Sequence, residues 1–149
     1  DFIWAPNSIS GLTVTGGYSF LDSEITKKIT PTDDIVEGDE LAYAPGFQGS
    51  LAVRYEWQLQ SGLTAHFMPH VSFSDDSWSD VIRINRIKID SWMLVGLTAG
   101  VESDTWSATL FVDNLTDEKA AMSTWFGADV ERTVYARPLT AGMRASSNF

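Results

Sequence analysis

The chain has no cysteine among its 149 residues, so a disulfide framework, a zinc–thiolate centre and a catalytic thiol are all excluded. It also lacks any run of about 18 apolar residues, the length a membrane-crossing helix needs. That absence does not bear on membrane barrels, whose strands turn only alternate residues to lipid. Basic residues are scarce: 10 Lys and Arg against 20 Asp and Glu give a formal net charge of −10. Nucleic-acid binding needs a basic footprint and is disfavoured. Histidine is limited to His66 and His70, which in an extended segment lie about 13 Å apart along the strand. One ion cannot bridge that gap, so no metal site and no cofactor are expected. No Ser-His-Asp constellation is evident, and the carboxylates crowd in polar loops rather than in an apolar cleft that would separate their pKa values. No catalytic residue is expected, and the chain is not read as an enzyme.

What the sequence does have is a period of two. From Phe47 to Trp57 the odd positions read Phe47, Gly49, Leu51, Val53, Tyr55, Trp57 and the even ones Gln48, Ser50, Ala52, Arg54, Glu56. Such alternation gives a strand one apolar and one wet face. Five further segments follow the rule, with apolar rows from Leu12 to Phe20, Leu63 to Phe73, Met93 to Val101, Trp106 to Val112 and Leu139 to Phe149. Arg54, Glu56, Asp90, Asp113, Arg144, His66 and His70 all fall off these rows. Connections alternate between tight turns at Gln60-Ser61-Gly62 and Glu102-Ser103-Asp104 and long stretches near residues 26–46, 74–88 and 117–137. Long strands with short turns at one end and long loops at the other are the pattern of an outer-membrane barrel. Sandwich strands average only about 5 to 6 residues.

Most of the negative charge sits in the long connections, and a solvated surface is the expected role of Asp33, Asp34, Glu37, Asp39 and Glu40, whose spacing does not fit an EF-hand. Trp57 and Trp106 flank the tight turns and suit an interfacial aromatic girdle. Trp78 and Trp125, inside the long loops, are candidates for stacking on a ligand. Arg83 and Arg86, with Lys88, are candidates for an anionic group, with local pairing to Asp80 and Asp90 as the competing reading. Asn114-Leu115-Thr116 matches a glycosylation acceptor, but an Asn that bonds its own backbone at a turn is the preferred account.

Near the C-terminus the residues become recognisable. Leu110-Phe111-Val112-Asp113-Asn114-Leu115-Thr116-Asp117-Glu118 resembles the penultimate strand of TonB-dependent outer-membrane receptors, and Arg137-Pro138-Leu139-Thr140-Ala141-Gly142 leading to Phe149 resembles their final strand. Gly38-Asp39-Glu40-Leu41 before Ala44-Pro45 is similar to the family's approach to an earlier strand. Arg137-Pro138 reverses the family's usual order, and Ser147 stands where an aromatic is usual.

The resemblance implies a twenty-two-stranded barrel with a plug, of which this chain would supply the last six strands. The expected fold is therefore all-β, an antiparallel up-and-down meander forming a partial transmembrane barrel. The chain starts at Asp1-Phe2-Ile3-Trp4 without Met or a secretory leader, and residues 1–149 are expected to be a C-terminal barrel fragment without plug or signal peptide. The resemblance further implies bacterial outer-membrane location, contact with outer-membrane lipid, and uptake of a small ligand such as an iron chelate, vitamin or oligosaccharide. TonB would act only through the missing N-terminal part. A terminal aromatic, here Phe149, would be read by the barrel-assembly machinery. The alternatives are a soluble β-sandwich or small barrel binding a carbohydrate or other small ligand, and an incomplete glycosidase-like sheet. A sandwich would bury the apolar rows between two layers; a barrel wall would leave Leu51, Val53, Tyr55, Phe67, Val95, Leu97 and Leu110 uncovered.

Overall fold

The computed structural model describes residues 1–28 and 34–147. Its strands are β1 (Phe2–Trp4), β2 (Leu12–Phe20), β3 (Phe47–Gln58), β4 (Thr64–Ser74), β5 (Ser77–Trp78), β6 (Lys88–Ile89), β7 (Trp92–Glu102), β8 (Trp106–Asp113), β9 (Ala121–Gly127), β10 (Val130–Tyr135) and β11 (Thr140–Ser147). No helix occurs among the described residues. Seven strands form one sheet in the order β1-β2-β3-β4-β7-β8-β11, with every pair antiparallel. This is an open meander, interrupted in sequence only by two small hairpins, β5–β6 and β9–β10.

Six long strands agree with the alternating segments, at 8 to 12 residues each. β1 adds a seventh at the edge, and its three residues are too few to show a period. The third long connection, expected as a loop, folds into the β9–β10 hairpin. Its two-residue turn places Ala128 and Asp129 at φ 52° and 61°. Those values fit a type I′ turn, which ordinarily announces itself by Asn-Gly, and Ala-Asp gives no such signal.

The pairing register aligns the apolar rows across the whole sheet. Gly16 faces Leu51, which faces Val71, which faces Val95. Phe67, Ala99, Leu110 and Met143 make another continuous row. A slip of one residue in any pair would turn a strand's apolar set onto the wet face.

Among the described residues no second layer covers these rows. Among the described residues the buried apolar side chains are Ala44, Pro45, Ala65, Ile89 and Ala120, and of these Ala65 alone belongs to the main sheet. Leu51, Tyr55, Phe67 and Leu110 are exposed, Leu110 to 62%, while Val53, Val95 and Leu97 are half-buried by their own neighbours. Two buried layers would define a sandwich, so that alternative fails.

Aromatic side chains mark both ends of the apolar surface. Trp4, Trp57 and Trp106 are exposed beside the short turns, with Tyr55 stacked on Trp57 at 5.6 Å. At the opposite end Tyr18, Phe20 and Phe73 surround Phe47 at 6.3, 4.8 and 5.1 Å between ring centres. Phe47 and Trp57 are separated by roughly 33 Å of strand, and a tilt of about 45° reduces that to about 23 Å, close to the ~25 Å apolar band of membrane barrels. The wet face carries paired charge: Arg54 Nε and Nη2 donate to Glu56 Oε1 at 2.9 and 2.6 Å.

Leu110→Arg, in the middle of the lipid-side row, should destabilise the membrane-inserted protein by about 2–4 kcal/mol. Thr109→Arg, one residue away on the wet face, should change stability by about 0.5 kcal/mol or less. Urea unfolding in bilayers followed by tryptophan fluorescence would check this contrast.

Candidate functional site

The three long connections emerge at one end of the sheet and pack together into a cap. Tyr43 lies at its centre with φ 53°. Its backbone N–H donates to Trp78 O at 2.7 Å, and its hydroxyl donates to Thr124 O at 2.6 Å. One residue of the first connection thereby holds β5 of the second and β9 of the third. Thr124 is among the most buried residues described, at 2% exposure, and its hydroxyl shares a 3.0 Å hydrogen bond with that of Thr133 across the hairpin.

Asp39 is the electrostatic counterpart. Arg83 grips it in bidentate fashion, Nε to Oδ2 and Nη2 to Oδ1, both at 2.8 Å, and Arg86 Nη1 lies 3.3 Å from Oδ2. The Arg86 guanidinium also sits 4.1 Å above the centre of the Trp78 ring, a cation–π arrangement. Trp78, Arg83 and Arg86 are thus brought together. Arg83 and Arg86 reach across to Asp39 in the first connection, where sequence proximity favoured Asp80 and Asp90. Asp80 instead accepts a hydrogen bond from Ile82 N at 3.0 Å, and Lys88 pairs with Asp76 at 3.1 Å. With a side chain only 11% exposed, Asp39 also departs from the solvated role expected of the acidic loop. Asp33 and Phe149 lie outside the described residues.

Trp125 stands apart from this group, 42% exposed on β9 and opposite Arg132. Asn114 is 5% exposed. Its Nδ2 donates to Glu118 O and Arg137 O at 2.9 and 3.0 Å, and its Oδ1 accepts from Glu118 N at 2.9 Å. With both amide hydrogens engaged, the side chain ties the roots of the third connection together, as the turn reading expected. Asp117 adds a bond from Leu139 N to its Oδ1 at 3.0 Å.

A cavity of about 330 Å³ opens between the β6–β7 junction and the β9–β10 hairpin, walled by Asp90, Trp92, Lys119, Thr124, Glu131 and Tyr135 among others. Trp92 pairs with Ser74 on the wet row, so the cavity adjoins the wet side of the sheet. The sequence did not single out Lys119, Glu131 or Tyr135. Alternation on either side of Ala128-Asp129 could have placed Glu131 and Tyr135, while Lys119 precedes β9 and carries no such signal. Elsewhere on the wet face His70 Nε2 is 3.9 Å from Asp113 Oδ1. His66 faces Gly100 and His70 faces Gly96. A Cβ at either glycine would collide with the imidazole opposite. Among the described residues no group of three or more His, Asp or Glu converges as a metal site.

A scan against family models matches residues 2–115 to the "TonB dependent receptor-like, beta-barrel" family. The chain belongs to that family. The matched stretch runs from β1 through β8 and into Asn114-Leu115, and the uncovered apolar rows with aromatic belts are what its membrane-embedded wall requires. The family consists of outer-membrane receptors and transporters rather than enzymes.

In this receptor segment the Asp39 carboxyl is held below its ordinary value of 3.8, first by the hydrogen bond from Arg83, against the opposing effect of burial and with help from the charges of Arg86 and Arg83. A carboxylate depressed in the folded state stabilises above its unfolded pKa, and that contribution is lost as pH falls through the folded value. Amide-exchange protection of residues 34–43 and 77–89 should therefore be level above about pH 4 and decline below it. Asp39→Asn should remove the pH dependence and speed exchange at neutral pH.

Proposed function

We infer that the chain supplies barrel wall and extracellular loops to an outer-membrane receptor, energised through TonB, that takes up a small ligand such as an iron chelate, vitamin or oligosaccharide. The observation that carries this reading is the single-layer sheet with one uncovered apolar face and one wet face, in a chain of this family. Residues 1–149 are taken as the C-terminal part of the barrel domain, with the other strands and the plug supplied by the remainder of the receptor. The wet face then lines the lumen, and TonB acts through the plug side. Among the cap residues, Trp125 is free to stack on a ligand, and Trp78, Arg83 and Arg86 offer ring and guanidinium surface while they hold Asp39.

Cell fractionation should find the receptor in the outer membrane of its bacterial host, and its uptake of ligand should cease when TonB is deleted. Recovery in a soluble fraction, or uptake unchanged without TonB, would overturn the reading.

Phe149 is proposed as an assembly signal for the barrel-insertion machinery, because in the sequence the alternating row Leu139, Ala141, Met143, Ala145 runs on to it. Deleting it should lower the heat-resistant folded population in outer-membrane fractions and leave ligand affinity of the folded receptor unchanged. Normal folded yield with lost binding would refute the proposal.

A further inference from the structure

We propose that the cavity between the β6–β7 junction and the β9–β10 hairpin is a subsite for a neutral sugar ring. The proposal rests on the receptor reading above and adds a ligand class to it. Position comes first: the cavity lies at the long-loop end, and Trp92, on the wet row opposite Ser74, forms part of its wall. A ligand entering the lumen from outside would pass it.

The wall chemistry selects the ligand. A pyranose offers apolar C–H faces and a rim of hydroxyls, and it is recognised by an aromatic ring together with carboxylates that accept hydrogen bonds from those hydroxyls. Trp92 and Tyr135 supply the rings, while Asp90 and Glu131 supply the carboxylates and Lys119 a donor. None of Asp90, Lys119 or Glu131 has a side-chain partner among the described residues, so each is available to a ligand. The volume of about 330 Å³ falls at the small end of the ~300–1,000 Å³ range of small-molecule sites, which suits a sugar unit rather than a bulky chelate.

Charge argues against the anionic alternatives. No arginine lines the cavity, acidic side chains outnumber lysines there, and Lys88 is already paired with Asp76. Phosphates and negatively charged iron chelates are drawn to arginine, and this wall would repel them. The cation-rich group at Arg83 and Arg86 is a separate place, where both arginines pair with Asp39.

The test uses the intact receptor purified in detergent, with tryptophan fluorescence and calorimetric titration against maltose, cellobiose and diacetylchitobiose at up to millimolar concentration. At least one disaccharide should bind, and Trp92→Ala and Glu131→Gln should each weaken it tenfold or more. Glu131 is exposed, so Glu131→Gln preserves folding, and Trp92→Phe should retain part of the affinity. Absence of binding by all three sugars, or binding that neither variant weakens, overturns the proposal. Impaired uptake of an anionic iron chelate or a polyamine by these variants also overturns it. TonB-dependent uptake of a non-sugar nutrient that both variants leave intact would remove the sugar subsite and keep the receptor reading. Loss of outer-membrane location or TonB dependence would remove that reading itself.

Discussion

Strand register is the constraint on which the rest of this structure depends. A single-layer sheet has no interior, so its strands cannot be fixed by packing against a core. They are fixed by backbone pairing and by the requirement that every apolar row stay on one side. In hydrocarbon an unpaired N–H or C=O costs several kcal/mol, which enforces complete ladders; the alternation then allows only one phase. The row Phe67, Ala99, Leu110, Met143 and the flanking wet residues Arg54, Glu56 and Asp113 show the phase held, while the β3–β4 ladder skips Val53 and Arg54 opposite Met68 and Pro69, where proline has no N–H to give. Moving β8 by one residue against β7 would carry Asp113 to the lipid side.

Conventional burial is displaced to the cap. Thr124, Asn114, Ile89, Ala120, Ser77 and Ser79 are buried there, and four of these six are polar. Tyr43 joins three connections with two hydrogen bonds, Asp39 joins two with its arginine pair, and Asn114 closes the roots of the third. Net hydrogen-bond contributions of about 1 kcal/mol each are modest, so the cap has many small fastenings and no dominant one. That suits loops which hold a shape through distributed contacts and open locally, piece by piece.

The strands were legible in the sequence because period two survives wherever one face meets an apolar medium and the other meets water. Long rows such as Leu51, Val53, Tyr55, Trp57 needed no tertiary information. The second aromatic belt was harder to see: Tyr18, Phe20, Phe47 and Phe73 come from three strands and converge only through register. The same holds for the cap. Asp39 and Arg83 are 44 residues apart, and among many acidic side chains nothing local marks Asp39 as the one the arginines take. Tyr43 was invisible for the same reason, since its partners belong to other connections. Asn114 was readable because part of its work is local, bonding Glu118 four residues on, whereas its bond to Arg137 was not.

Three wet-face rings lean onto glycines of the neighbouring strand: His66 over Gly100, His70 over Gly96 and Phe111 over Gly142. Each ring occupies the space that a Cβ on the neighbouring strand would need. The two positions of such a pair are therefore tied across strands: a larger residue in place of the glycine requires a smaller one in place of the ring.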